Sequence, residues 1–590
     1  MCEEESNHTH PFSCLDLHSA CEGDNCPQHN HGSSNHDTVQ RKDLLIAGTI
    51  AGLERSADAG CKTCAILFGG LNLPEIRKIW NAGVHQGMRG RKMEPGDFEE
   101  GRTRIEVMWG VGTISGDNVV LYLGPHGEKA RYTTLSHTWG SNTTFTLTVD
   151  KEGKEGTLNS FLKEITWRDI PKTFQDAIII SHELDIEYLW IDSLCIIQND
   201  EQDWEEQSRQ MRPIYGNSWL NIAATDSKDS RGGCFRIGNA DQTHPLRHVP
   251  QNLNIVVMDQ PVNMHKDFGT NYRTDLSSPP LLQRGWVFQE RLLPSRVVYY
   301  AQDELRWECN EMADCQCGGM VVLARFKPYY HQSMAGALDP LPFVWMKIIE
   351  RYSWLRFTYP EKDRMIALAG VAKEVLNHGG AGEYLAGHWM QDLASQLCWT
   401  VIDDCRRSPQ YFAPSWSWLS VLGSIEHSKV EFRQQRHSEI DVQITGASCQ
   451  PSGEEGLERV TSGLIVVIGK ILHLQAELIC APQDDRPRYR LWHQNSTLEF
   501  SDFKPDYILD TEEAVQIKNL SVLLWGRIWH GKEGVDHKYT FMVLRVAEDK
   551  PDAFQRLGII SLPERHEGPE ASLVREFADA CDLRADIRII

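Results

Sequence analysis

The sequence predicts an α/β protein: a mostly parallel sheet flanked by helices, with a helical N-terminal segment before it and a β-rich piece after it. Two observations carry the sheet. Residues 132–224 run strand, helix, strand, helix, strand, the order that crossover helices between parallel strands require. Within that order Tyr188–Ile197 (YLWIDSLCII) is almost continuously apolar, as a strand covered on both faces must be. The composition, 590 residues with 24% charged and 41% hydrophobic side chains, suits a globular chain of more than one domain.

Along the chain, residues 1–40 hold six of the 23 histidines and four cysteines but little that could build a core. They read as a polar, disordered leader. Cys14, Cys21, Cys26, His29 and His31 lie close enough to chelate a metal, yet their spacing matches no finger. Residues 41–80 read as helical, with Cys61 and Cys64 as a lone C-x-x-C pair that lacks the second half of a zinc site. Residues 85–130 are Gly-rich, with strand-like stretches at Ile105–Trp109 and Asn118–Leu123. Gly110–Gly116 between them lacks the Lys-Ser/Thr ending of a phosphate loop and reads as a hairpin turn.

Tyr132–His137 is then a strand, and Pro171 precedes a helix that Thr173 can cap, with Phe174, Ala177, Ile178 and Leu184 near helical spacing. After Tyr188–Ile197, Asn199 or Asp200 can cap DEQDWEEQSRQM, whose acidic first turn suits the helix dipole. That helix should end near Pro213–Gly216, before the strand Trp219–Ala224.

In open α/β sheets the ligand crevice lies beyond the carboxyl ends of the strands. The polar residues there are Ser136 and His137, then Asp192, Ser193 and Cys195, then Thr225 and Asp226. Asp192 interrupts an apolar run, so it either braces loop amides or belongs to a site, because a lone buried carboxylate is costly. Cys195 is either packing or a nucleophile with His137 as its base. A second cluster, Gln283–Arg291 with Arg296, offers Arg284, Arg291 and Arg296 for bidentate contact with a pyrophosphate or carboxylate. Alternatively Glu290 forms an ion-pair lattice with Arg284 or Arg291. Cys309, Cys315 and Cys317 are a weak zinc candidate, and no metal site is assigned.

A net charge of −22 disfavours a nucleic-acid partner. No apolar run is long enough to span a bilayer, the longest candidate (Leu464–Leu472) being broken by Gly469 and Lys470, and MCEEESNHTHPF has no apolar signal region. The expectation is a cytoplasmic protein with no membrane partner, its sixteen cysteines reduced. No G-x-S-x-G, H-E-x-x-H, Walker or kinase motif occurs.

Taken together, YTTLSHTWG (132–140), IPKTFQDA (170–177), LWIDSLCIIQ (189–198), DWEEQS (203–208) with Met211, Ile214 and Tyr215, and RGWVFQER (284–291) resemble successive blocks of the fungal heterokaryon-incompatibility (HET) domain, in family order. DRMIALAG (363–370), YLAGHW (384–389) and APSWSW (413–418) look like its usual continuation. The resemblance implies these domains: leader 1–40, N-terminal helical and hairpin segment 41–130, HET core 131–310, helical extension 311–425 and β-rich end 426–590. It also implies a TIR-like core, and roles in growth arrest or programmed cell death on fusion of unlike fungal cells, or in innate immunity. Some TIR domains hydrolyse NAD at the nicotinamide–ribose bond, which makes NAD a candidate substrate, with no other cofactor implied. Such chemistry needs a carboxylate near the ribose. Asp192, His137, Glu290, Glu206 (beside Glu205) and Cys195 are the catalytic candidates. Ser136, Trp139, Arg284, Arg291, Arg296 and Asp226 are the candidate ligand contacts. Family members often carry Glu at the position of Gln207, Tyr at that of His137, and no proline at that of Pro213. Two other functions stand beside the NAD-directed one: a non-catalytic signalling module binding a protein partner through its end piece, and a stand-alone enzyme or accessory protein of secondary metabolism.

Overall fold

The computed structural model describes residues 110–590 apart from 114–117, 125–128, 141–144, 152, 236–242, 246–255, 259–278, 302–304, 316–325, 403–404, 409, 428–438, 453–456, 458, 481–485, 494–498, 530–536 and 564–581. The leader, the helix expected over 41–80 and Cys61–Cys64 lie outside the described residues, as does Cys317. The chain divides into two compact units: one ends at His331, and the other holds 283–289 and Gln332–Ile590.

The first unit is built on a nine-stranded sheet. Its strands are β1 (Gly110–Thr113), β2 (Asn118–Tyr122), β3 (Tyr132–Ser136), β4 (Ile165–Thr166), β5 (Tyr188–Ile191) and β6 (Leu220–Ala223), then, after a separate hairpin β7 (Thr243–Pro245) and β8 (Val256–Met258), β9 (Arg296–Tyr300), β10 (Leu305–Cys309) and β11 (Ala313–Cys315). The order is β11-β10-β9-β6-β3-β5-β1-β2-β4. Only β9, β6, β3 and β5 run parallel; the outer pairings are antiparallel. The expected mostly parallel sheet is therefore a mixed one. Strands joined by short turns, such as β9-β10-β11, can pair only antiparallel, whereas parallel pairing needs a long crossover. Gly110–Thr113, expected to be a turn, is itself a strand paired to β2.

The helices are α1 (Leu158–Phe161), α2 (Lys172–Glu183), α3 (Asp192–Cys195), α4 (Glu201–Gly216), α5 (Val287–Leu292) and α6 (Phe326–Met334). Helix α2 starts one residue before Thr173, whose hydroxyl accepts from Gly233 N–H (3.0 Å) instead of capping. Helix α4 is capped by Asp200, whose carboxylate accepts from the N–H groups of Gln202 and Asp203. The run Tyr188–Ile197 is not one strand: β5 ends at Ile191, and Asp192 opens the single turn α3.

Helices α2 and α4 cover opposite faces of the parallel strands. Thr133 bonds Ser181 of α2 (2.6 Å), and Leu135, Leu189, Ile191 and Ile222 share a core with Phe174, Ala177 and Ile178. On the other face Tyr132 donates to the Ile214 carbonyl (2.7 Å), and Trp190 meets the Tyr215 ring edge-on. Strand alternation thus sorts β3 residue by residue between two helices.

The second unit combines α7 (Leu341–Ser353), α8 (Pro360–Asp363), α9 (Ile366–His378), α10 (Leu393–Gln396) and α11 (Thr511–Gln516) with three small two-stranded sheets and a large sheet. The small sheets pair β12 (Tyr384–Leu385) with β13 (His388–Trp389), β14 (Trp399–Val401) with β17 (Ile425–His427), and β15 (Arg406–Arg407) with β16 (Val421–Leu422). The sheet comprises β18 (Glu439–Ile440), β19 (Gln443–Pro451), β20 (Val460–Cys480), β21 (Arg488–Trp492), β22 (Glu499–Phe503), β23 (Asn519–Trp529), β24 (His537–Ala547), β25 (Lys550–Pro563) and β26 (Asp582–Ile589). Pairings β20–β23–β24–β25–β26–β20 close a five-stranded ring, with β25 and β26 parallel. The apolar run around Leu464–Leu472 is the middle of β20, and a Cβ at Gly469 would come within 2.8 Å of Leu523 Cδ1. Among the described residues no helix is long and apolar enough to cross a membrane.

Candidate active site

Read in chain order, the parallel strands β5-β3-β6-β9 stand 2-1-3-4. Such an order places the ligand crevice above the carboxyl ends of the first and third strands, where connections diverge. Here those ends are Ser136–His137 and Ala223–Asp226, with Asp192 following the adjacent β5.

Asp192 gathers most of the polar contacts. Its Oδ2 accepts from Trp139 Nε1 (2.8 Å), its Oδ1 accepts from the Ser193 N–H (2.7 Å), and His137 Nδ1 lies 3.5 Å from Oδ1. The Asp192 side chain keeps 19% of its surface exposed while that of His137 keeps 2%. Trp139 lies parallel to the His137 ring, which meets Phe174 edge-on. Asp192 thus braces a loop through the Trp139 indole and the Ser193 amide and keeps part of its side chain exposed.

Beneath it lies a polar layer that sequence reasoning missed. Asn221 on β6 is buried; its Oδ1 accepts from Thr134 (3.0 Å) and its Nδ2 donates to Ser136 Oγ (2.9 Å) and to the Glu290 carbonyl (2.9 Å). The Tyr215 hydroxyl donates to the Leu135 carbonyl (3.3 Å), and the Ser136 hydroxyl to Asn221 Oδ1 (3.2 Å). Burial first, then the charges of Glu290 and Asp192, holds that phenol well above its usual range. The sequence signal was an asparagine inside the apolar WLNIAA.

Ser136 and Glu290 thus belong to this layer with His137, Trp139 and Asp192. Others do not. Cys195 is fully buried and its thiol is pushed up to about 12, first by burial and then by the Asp192 charge, which disfavours the thiolate that a nucleophile needs. Glu205 and Glu206 are exposed on α4; the side chain that turns inward is Gln207, beside Asp203. Asp226 is half-buried after β6. Arg291 spends its guanidinium on Glu308, with Nε–Oε2 at 2.8 Å and Nη2–Oε1 at 2.5 Å, rather than on Glu290 or a phosphate. Arg296 donates to the Trp219 carbonyl (3.1 Å) and lies over that indole. Arg284 is in the second unit, where its backbone bridges Arg356. The guanidinium groups of Arg291 and Arg296 are thus engaged within the fold. Among the described residues no three His, Cys, Asp or Glu side chains gather as metal ligands.

Helix α5, which carries Glu290, is held by α6. Lys327 donates to the carbonyls of Arg291 (2.8 Å) and Pro294, and His331 Nε2 lies 3.1 Å from the Leu292 carbonyl. Lys327 is fully buried, and burial lowers its ammonium to about 7, reinforced by Arg291 and Arg296 and opposed by Glu308 and Cys309. A lowered cationic pKa means the folded state holds fewer protons between about pH 7 and pH 10 than the unfolded chain does. Stability should therefore rise with pH across that window. Urea midpoints of the wild type and Lys327→Met at pH 7 and 9 test this: the alkaline gain should shrink in the variant, and an equal gain refutes the assignment.

The family model described as heterokaryon incompatibility protein (HET) matches residues 132–290, which span β3 to α5. The chain is similar to heterokaryon incompatibility protein 6, OR allele, of Neurospora crassa, with 30% identity over 124 residues. That stretch covers 20% of this chain and 18% of the relative's length. No solved structure matches. The stretch that carries Asp192, His137 and Trp139 is thus similar to the heterokaryon incompatibility domain, over residues 132–290 of the chain.

Proposed function

We propose that this chain is a fungal incompatibility-type protein, acting in non-self recognition and programmed cell death, whose HET unit binds NAD and cleaves its nicotinamide–ribose bond. The observation that carries the reading is the convergence of Trp139, His137 and the partly exposed Asp192 at the carboxyl ends of β3 and β5. A carboxylate stabilises the oxocarbenium-like centre that forms at the ribose C1′ as the C–N bond breaks. Nicotinamide leaves neutral with the bonding electron pair. Water adds its hydroxyl to C1′, and its proton passes to Asp192 or His137, giving ADP-ribose. Asp192 is placed for this because its two oxygens are oriented by an indole N–H and a backbone N–H.

Incubating the full chain with NAD and following nicotinamide tests the reading. Asp192→Asn should lower release by roughly 100-fold or more, the scale of a lost charged catalytic group. Release from wild type no greater than from a heat-killed control would sink it. A second reading, the non-catalytic signalling module, is favoured by Gln207. This amide is buried at the position where, by the resemblance, family members often carry Glu, and it can supply no charge.

A further inference from the structure

We infer that Asp176 is a positioning residue: it clamps the connection after β6 onto the start of α2, and that connection sets the turn from which Trp139 reaches Asp192. The inference rests on the functional reading above for its chemistry, though not for its geometry. Asp176 is fully buried on α2, and a buried carboxylate is costly unless its oxygens are bonded. Its Oδ2 accepts from the consecutive N–H groups of Cys234 (2.8 Å) and Phe235 (3.2 Å). Its Oδ1 pairs with Lys172, whose ammonium also lies 5.5 Å from the centre of the Phe235 ring. Thr173 works beside it. The Thr173 hydroxyl accepts from Gly233 N–H (3.0 Å) and donates to the Asp229 carbonyl (3.5 Å), while its own N–H donates to the Ser230 carbonyl (2.9 Å). Residues 229–235 are thus held by their main chain. The segment is also closed on itself, because Ser227 Oγ donates to the Asp229 carbonyl (2.6 Å) and Arg231 N–H to Asp229 Oδ1 (2.8 Å).

The clamp reaches the site through one contact. The connections that leave β3 and β6 diverge at the crevice and meet again where Gly140 lies against Asp229. A Cβ on Gly140 would come within 2.4 Å of Asp229 Cβ, and the φ of +74° there suits glycine. Trp139, the residue before, donates its indole N–H to Asp192 Oδ2 at 2.8 Å. Phe174, between the two clamping residues in sequence, meets His137 edge-on at 4.9 Å. The start of α2 therefore supports both side chains that flank Asp192, His137 directly and Trp139 through 229–235. Asp176 touches none of the reacting atoms; it acts through Trp139 and Asp192.

The test uses the full chain with Asp176→Asn, Thr173→Val, Thr173→Ser, Trp139→Phe and the double variant Asp176→Asn with Trp139→Phe. Hydrogen exchange read by peptide mass spectrometry should be faster by roughly 10-fold in 229–235 and in 137–140 for Asp176→Asn and Thr173→Val, the scale of one lost hydrogen bond, while β5 stays protected. Thr173→Ser keeps the hydroxyl and should stay within about twofold of wild type. Faster exchange in 229–235 with 137–140 unchanged overturns the inference, as does no change in either segment. If Asp176→Asn exchanges fast throughout, it has failed to fold, and Thr173→Val decides. Asp176→Asn should also lower kcat for nicotinamide release by roughly 10-fold, and the double variant should fall little below Trp139→Phe alone, since the clamp acts through that indole. Additive losses in kcat overturn the inference. If the wild type releases no nicotinamide, the functional reading fails alone, and the exchange pattern still decides whether the clamp sets 137–140.

Discussion

Arg556→Met is expected to destabilise the second unit by about 3–5 kcal/mol, the cost of leaving a buried charge and its acceptors without a partner. Arg556 sits on β25 of the closed ring and is only 1% exposed. Its Nε donates to Asp506 Oδ2 (2.8 Å), Nη1 to the Leu397 carbonyl (2.6 Å) and Nη2 to the Trp399 carbonyl (2.5 Å). The guanidinium also lies 3.5 Å from the centre of the Trp399 ring. One side chain thus fastens the ring to residues 397–399 and to 506. Removing it strands two buried carbonyls and a carboxyl that burial already pushes above its usual range. Arg556→Lys should fall between, since a point charge cannot reproduce a planar fork. Arg556→Met with Asp506→Leu should recover part of the loss, because a buried pair replaced as a pair is far less costly than one broken. Urea denaturation measures all three, and a loss under about 1 kcal/mol in Arg556→Met would contradict this account.

Glu308→Leu is expected to be nearly as damaging to the first unit, also about 3–5 kcal/mol. Glu308 on β10 is fully buried and accepts both arms of Arg291 as well as the Tyr299 hydroxyl (2.5 Å). Burial pushes its carboxyl up, but Arg291 and Tyr299 outweigh burial and hold it below the usual range. The sign follows: a depressed carboxylate contributes its stability above about pH 4.5 and loses it as pH falls through the folded value. Without Glu308, the Arg291 charge is buried alone on the helix that carries Glu290, and Lys327 loses its nearby counter-charge. The nicotinamide release proposed above should therefore fall along with stability. Melting curves at pH 7 and pH 4 would show it: the gap between wild type and variant should narrow in acid. A gap that stays constant would mean that the carboxylate is not ionised in the fold.

Much of the first unit was legible because it rests on local chemistry. Asp200 caps α4, Phe174, Ala177 and Ile178 face the core from α2, and Tyr132–Ser136 and Leu220–Ala223 are buried strands, as periodicity and capping residues indicated. The failures occurred where a neighbour distant in sequence decided the outcome. Tyr188–Ile197 reads as one strand, yet its chain turns at Asp192, where the side chain meets Trp139 from another strand end. Arg291 reads as a phosphate ligand because no local pattern shows that Glu308 lies opposite, seventeen residues on. Glu206 and Gln207 are adjacent in sequence, and only the packing of α4 against the sheet decides which turns inward.

The sequence by itself determined the crossover pattern, the helix caps, the polar strand ends and the resemblance in family order, since each depends on residues within a few turns of one another. The tertiary structure alone decided that the sheet is parallel only at its centre, that the C-terminal strands close into a ring, and which charges are already spent inside the fold. The physical reason is the same in each case. Hydrogen-bond partners across a sheet and counter-charges for a buried ion are chosen by proximity in space, where a lone charge is costly and a paired one is stable.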